Sequence, residues 1–138
     1  MKKTAVKYGI FALYILIVLK LTLLRETTLD NYEINFTPFV ELINVYRTSS
    51  TWQFLRLFLG NIGWFIPFGF ILPLMMKKSN FLTVTLMGCG FSFLIEILQL
   101  ALKKGYCELD DLILNTLGAV IGYAMYKIIK NIWKYNRG

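Results

Sequence analysis

The chain has 138 residues, 57% of them hydrophobic, and a formal net charge of +7. This composition is too apolar for an ordinary soluble domain and predicts one small polytopic membrane domain over residues 1–138. The fifteen Lys and Arg residues punctuate apolar segments instead of forming one basic domain, so we expect no nucleic-acid partner. The chain contains no His, which removes the commonest general base and the usual zinc ligand.

The first predicted span covers residues 8–24, an apolar run that follows three lysines and is interrupted by Lys20. A signal peptide would have a shorter apolar region and a small-residue cleavage site after it. We therefore interpret this segment as a retained transmembrane helix.

A short amphipathic helix on the membrane surface is predicted after the first span. Thr37 would be its N-cap and Pro38 its first helical residue. Its apolar residues recur at helical spacing and are Phe39, Leu42, Ile43 and Tyr46.

The second predicted span covers residues 57–76 and contains Pro67 and Pro73. Each proline removes a backbone donor, so the carbonyls of Gly63 and Gly69, four residues earlier, lose their usual partners. Either neighbouring helices and water tolerate these kinks, or the kinks mark a helix that lines a polar cavity.

The third and fourth predicted spans cover residues 81–102 and 112–129. The connection between them is short, which makes the two helices antiparallel neighbours. On each helix, polar and small residues share one face at helical spacing, so we expect the two faces to meet. These residues are Gly88, Ser92, Glu96 and Gln99 on the third span and Asp111, Asn115, Gly118 and Gly122 on the fourth.

The distribution of basic residues predicts that both termini are cytoplasmic. With four spans, five basic residues then lie outside, Lys20 lies within a span, and most of the basic charge lies inside. The inner residues are Lys2, Lys3, Lys7, Lys77, Lys78, Lys127, Lys130, Lys134 and Arg137.

Helical rise places polar side chains from all four spans at one depth, within about 10 Å of the outer surface. These residues are Lys20, Asn61, Glu96, Gln99 and Asn115, with Asp110 and Asp111 above them. A carboxyl group in a hydrocarbon interior needs compensation. Glu96 is therefore expected either to pair with Lys20 or to be protonated.

The Asp110-Asp111 pair begins the fourth span, where carboxylates commonly cap a helix and interact with its positive dipole end. With Glu96 or Glu108, the pair could instead hold Mg²⁺ or Ca²⁺, which prefer oxygen ligands. The pair alone is a weak metal motif, so no cofactor is predicted.

Four segments resemble the VanZ-like family in their residues, order and spacing. They are NFTPF at 35–39, NIGWFIPFG at 61–69, SFLIEILQ at 92–99 and DDLILNTLGAVIGY at 110–123. The resemblance covers a core of about residues 35–123 and implies a bacterial integral membrane protein. The family's namesake is linked to lowered sensitivity to teicoplanin, a lipid-tailed glycopeptide antibiotic. Many relatives carry a Gly-Arg pair and an Asp where this chain has Lys104-Gly105 and Glu108, so no role of that arginine transfers here.

Together these observations predict an all-α fold of four transmembrane helices, with the amphipathic surface helix between the first and the second. Its polar pocket in the outer leaflet is expected to bind an amphiphile. The ligand would be the lipid-tailed antibiotic, an envelope lipid or a lipid-linked cell-wall precursor. The predicted ligand-binding residues are Lys20, Asn61, Pro67, Ser92, Glu96, Gln99, Asp111 and Asn115.

Two alternatives stay open at this point. The chain could be a membrane enzyme that modifies a lipid, with Glu96, Asp110 and Asp111 as catalytic groups. Binding is favoured over catalysis because no nucleophile or second metal motif is evident. The chain could also be an accessory subunit, or form a homo-oligomer, through the G-x-x-x-G face of Gly118 and Gly122.

Overall fold

A computed structural model describes residues 2–23, 34–76, 78–105 and 107–137. Leu24, the last residue of the predicted first span, and Arg25 and Lys77, in the predicted charge pattern, lie outside the described residues. The described elements are α1 (Lys2–Leu23), β1 (Ile34–Asn35), α2 (Val40–Thr48), α3 (Thr51–Met75), α4 (Phe81–Ala101), β2 (Cys107–Glu108) and α5 (Leu109–Tyr135).

Four of these helices are long and apolar enough to cross a membrane, namely α1, α3, α4 and α5. The predicted all-α fold with four spans is confirmed. The α3 helix begins at Thr51, six residues before the predicted span, because Ser50 and Gln53 form a capping box that starts it earlier. Both prolines lie inside α3, which continues to Met75.

The α3 and α5 helices make the closest contact in the bundle. A side chain at Gly118 would overlap the carbonyl oxygen of Ile62, and one at Gly122 would overlap that of Ile66. Gly69 in turn lies directly against the backbone of Ala119. The predicted small-residue face of α5 is therefore divided between two neighbours. Gly118 and Gly122 face α3 and not α4, because α3 runs parallel to α5 and fills the groove that the two glycines leave.

The α4 and α5 helices meet as the sequence predicts. Gly88 packs on the methyl group of Ala119, and one turn along, Asn115 Nδ2 donates to Ser92 Oγ at 2.9 Å. Ser92 is completely buried and Asn115 nearly so. Each amide or hydroxyl group thus has a partner inside the bundle, which an apolar environment requires.

The α1 helix lies at the periphery and exposes most of its apolar side chains. Val18 is the residue of α1 that is fully buried in the main core, beside Phe65, Phe68 and Ile95. The Tyr14 hydroxyl donates to the carbonyl of Trp64 at 2.5 Å and ties α1 to α3. Exposed apolar surface of this extent is what a lipid-facing helix presents.

The surface helix α2 begins at Val40, and the predicted Thr37 cap with Pro38 as first helical residue is wrong. The Thr37 amide donates to the side chain of Asn35, and Phe39 occupies the N-cap position with a positive φ of 64°. Leu42 is buried, whereas Phe39, Ile43 and Tyr46 are exposed. The segment before α2 also forms a parallel pairing of β1 with β2, a non-local contact that single-sequence periodicity does not reveal.

Candidate functional site

The polar end of the bundle is the end at which α1 and α4 finish and α5 begins. Asp110, which is 2% exposed, lies there and accepts hydrogen bonds from the backbone amides of Phe39 at 2.5 Å and Leu42 at 3.2 Å. Those amides belong to the start of α2 and have no partner within that helix. Asp110 therefore caps α2 from another element, which explains why α2 needs no Thr37 cap.

Asp111, the next residue, points to a different neighbour. Its Oδ1 accepts a short hydrogen bond from Asn61 Nδ2 on α3. Successive residues on a helix are about 100° apart, so an adjacent pair of carboxylates reaches two different elements. Asn61 and Asp111 are thus brought together as the predicted site requires.

Glu96 and Gln99 extend the polar end towards the loop before α5. Glu96 is 2% exposed and its Oε2 accepts from the backbone amide of Glu108 at 3.1 Å. The Gln99 side chain donates from Nε2 to the carbonyl of Thr22 at 3.1 Å, and the Gln99 backbone carbonyl accepts from the Lys104 amide. The side chains of Glu96 and Gln99 therefore each bind the backbone of a neighbouring segment.

Three carboxylates form an acidic triad beside these contacts: Glu41 of α2, Glu108 before α5 and Asp111 of α5. One oxygen of each lies within 4.8 Å of the others. Burial, together with the hydrogen bond and negative charge of Glu41, raises the pKa of Glu108 from its ordinary value of 4.5 to about 10. The triad consequently keeps a proton at neutral pH unless a cation replaces it.

The triad changes the metal prediction made from the sequence. Asp110, which the sequence suggested as a metal ligand, instead caps α2. Glu41 lies beside Glu108 and Asp111 in its place. Glu41 Oε2 is buried and accepts no hydrogen bond. Three carboxylates with one unsatisfied oxygen suit a hard cation such as Mg²⁺ or Ca²⁺.

Lys20 does not join the buried cluster. It is exposed on α1, whereas Glu96 is buried and contacts the segment before α5. The contact of α1 with the cluster comes from the Thr22 carbonyl instead, one half-turn further on. Pro67 is half-buried within α3, and Ser92 contacts Asn115 one helical turn below Glu96.

Sequence reasoning missed Glu41, the Phe39 and Leu42 amides and the Thr22 carbonyl. A signal for Glu41 is its position one residue before the buried Leu42, which places it near the side of α2 that faces the bundle. The two amides and the Thr22 carbonyl are backbone groups, which every residue type has. Residue types therefore could not have predicted them. Two cavities, lined by residues towards the ends of α3 and α5 and around the start of α4, lie at the opposite end of the bundle and not beside this cluster.

The fold and the site define a class: a polytopic helical membrane protein with a buried polar cluster and an acidic triad at one end of the bundle. The family model described as VanZ/LLP1 matches residues 11–130, and the chain belongs to this family. A similar curated protein is "Protein VanZ" of Enterococcus faecium, which is 30% identical over 125 residues, or 86% of this chain and 71% of that protein. No solved structure matches the chain.

Proposed function

We propose that this VanZ-like membrane protein binds an amphiphile at the acidic triad, and so contributes to lipoglycopeptide (teicoplanin) resistance or to cell-envelope homeostasis. One observation carries the proposal. The triad of Glu41, Glu108 and Asp111 joins α2 to α5, and the opposite side of the short helix α2 exposes Phe39, Ile43 and Tyr46. A carboxylate group and an apolar surface on two sides of one short helix, about 10 Å apart, are within reach of a single amphiphile.

The two parts of the site would recognise two parts of the ligand. Carboxylates accept hydrogen bonds from ammonium, amide or hydroxyl groups, and a bound cation would instead receive a phosphate or carboxylate. Phe39, Ile43 and Tyr46 are 52%, 46% and 72% exposed and would contact the lipid tail. Burial of such side chains contributes about 25 cal/mol per Å² of apolar surface removed from water.

The remaining predicted residues would act by positioning. Asp110 fixes α2 against α5, and Asn61 fixes Asp111. Glu96 and Gln99 hold the segments that flank the triad. We propose that this end faces the outside of a bacterial cell membrane, with both termini cytoplasmic, as the basic residues predict.

The proposal is tested with a deletion strain that expresses wild type, Glu41→Gln or Asp111→Asn. Both substitutions should reduce teicoplanin protection at least fourfold in inhibitory concentration without reducing membrane abundance. Asn44→Ala is the matched control, because Asn44 is exposed on the same helix and lies outside the triad. Protection that survives both substitutions contradicts the proposed site.

A direct binding measurement distinguishes recognition of the antibiotic by this protein from resistance that arises indirectly. Wild type in nanodiscs should bind a fluorescent teicoplanin more tightly than the same glycopeptide without its acyl tail, and Glu41→Gln should weaken that binding. Chelation with EDTA should weaken it as well only if a divalent cation occupies the triad. A lipid profile altered by wild type and restored by Glu96→Gln would favour a lipid-modifying enzyme over a binding protein.

A further inference from the structure

A cleft of about 850 Å³ lies at the end of the bundle opposite the acidic triad. The last turns of α3 and α5 form it, with Phe70, Leu74, Ile129 and Trp133 among its apolar walls. Basic residues line the same cleft at four positions, namely Lys127, Lys130 and Lys134 on α5 and Arg137 just beyond its end. The cleft therefore combines an apolar wall with a positively charged one.

A second cavity of about 370 Å³ adjoins the first, since Tyr126 and Lys130 line both. Its other walls are largely polar and include Lys78, Ser79 and Thr83 around the start of α4. The Thr83 amide already donates to the Asn80 side chain, so the start of α4 contributes its positive dipole end, which adds to the two ammonium groups. Among the described residues that line the two cavities, none is acidic.

Aromatic rings order part of this basic surface. The Lys130 ammonium lies 5.5 Å from the centre of the Tyr126 ring, at the boundary of the two cavities. The Arg137 guanidinium lies 3.9 Å from the centre of the Trp133 ring. Cation–π contacts of this kind hold long basic side chains in place without neutralising their charge.

We propose that the two cavities together bind one anionic phospholipid of the membrane leaflet at this end. The phosphate group would lie in the smaller cavity between Lys78 and Lys130, and an acyl chain would follow the apolar wall formed by Phe70 and Leu74. Charge selects an anionic headgroup, and the adjoining apolar cleft selects a lipid over a free anion. Basic pockets between transmembrane helices recognise lipid headgroups by the same chemistry.

Native mass spectrometry of the full chain in detergent tests the proposal, with equal amounts of phosphatidylglycerol and phosphatidylcholine added. Wild type should retain phosphatidylglycerol selectively. Lys78→Gln/Lys130→Gln should bind it roughly 30-fold more weakly, since each basic group near an anionic lipid contributes about fivefold. Leu74→Trp, which keeps every charge and fills the cleft at a side chain that is 43% exposed, should also weaken retention.

Lys3→Gln/Lys7→Gln is the matched control, because it removes the same charge from a different helix. Equal losses in both double variants would show general surface attraction and overturn the site. Retention of phosphatidylcholine at the same level would overturn the charge selection, and an unchanged affinity of Leu74→Trp would overturn the acyl-chain cleft. Displacement of the lipid by millimolar glycerol 3-phosphate would show a site for free anions instead. Far-UV circular dichroism confirms that every variant retains its helices.

Discussion

Asp110 and Asp111 are neighbours in sequence but connect α5 to different parts of the molecule. Asp110 accepts two backbone amides at the start of α2, and Asp111 accepts the side chain of Asn61 on α3. A carboxylate at a helix start commonly caps that helix. Asp110 lies at the start of α5, but the helix that it caps is α2. This pair therefore fixes the surface helix and the second span to one point on α5.

Asp110→Ala should destabilise the protein by about 1–2 kcal/mol, the usual loss when a helix cap is removed. Asp110→Asn should cost less, because its remaining carbonyl oxygen still accepts one of the two amides. Hydrogen exchange should accelerate mainly in residues 40–48, while the spanning helices keep their protection. If exchange in α2 is the same in wild type and Asp110→Ala, the cap is not what holds α2.

Glu108 makes stability depend on pH through its raised pKa. Between pH 4.5 and about 10, folded Glu108 keeps a proton that the unfolded chain has lost. Because the folded state then binds more protons, the contribution of Glu108 to stability is fully present below pH 4.5. It decreases as the pH rises towards 10.

Glu108→Gln should remove this dependence, since the amide imitates the protonated acid at every pH. We expect nearly equal thermal midpoints for wild type and Glu108→Gln at pH 4, below the ordinary pKa of the carboxyl group. At pH 8 the variant should melt several degrees higher, because each pH unit between the two pKa values removes up to about 1.4 kcal/mol of stability from wild type. Parallel melting curves from pH 5 to 9, measured without divalent cations, would show that Glu108 ionises normally.

At the scale of elements, α5 is the helix on which the others are arranged. Its glycines admit α3 on one side, and Ala119 with Asn115 receives α4 on the other. Close backbone approach replaces the hydrophobic driving force that is missing between helices in lipid. The G-x-x-x-G pattern is consequently used inside the chain, which removes the observation that favoured an accessory subunit.

Gly122→Ala should separate α3 from α5, because the added methyl group would overlap the Ile66 carbonyl. Overpacking at such a contact costs about 1–3 kcal/mol, which thermal unfolding in detergent can measure. Gly90→Ala is the matched control: it lies on α4 with nothing within 4 Å of the added carbon. Its better helix propensity should leave stability unchanged or raise it by up to about 1 kcal/mol. Equal effects of the two substitutions would contradict the packing.

At the scale of the whole molecule, the two ends of the bundle differ in chemistry. The polar end contains the carboxylates and buried amides, and the other end contains the basic clefts. Basic residues favour the cytoplasmic side of a membrane, so the acidic triad should face outward. This assignment decides whether an extracellular amphiphile can reach the triad.

Cysteine labelling tests that orientation in a background without Cys89 and Cys107. Asn44→Cys on α2 should react with a membrane-impermeant maleimide in intact cells. Asn136→Cys, beyond the end of α5, should react only after the membrane is permeabilised. Both positions are exposed, so burial does not explain a difference between them. The reverse pattern would place the termini outside and the triad inside.

The sequence alone determines the number of spans and the contact between α4 and α5. These features follow from long apolar runs and from helical periodicity, which depend only on local spacing. The sequence also predicts that Asn61 lies near Asp111 and that Ser92 lies near Asn115. Polar groups in an apolar run need hydrogen-bond partners on neighbouring helices.

Only the tertiary structure decides what those polar groups contact. It leaves Lys20 exposed, gives Asp110 to the α2 amides and brings Glu41 to Glu108 and Asp111. These contacts join residues about seventy positions apart, and several use backbone atoms that every residue type carries. Periodicity fixes the face on which a side chain lies, whereas its partner depends on how the helices pack.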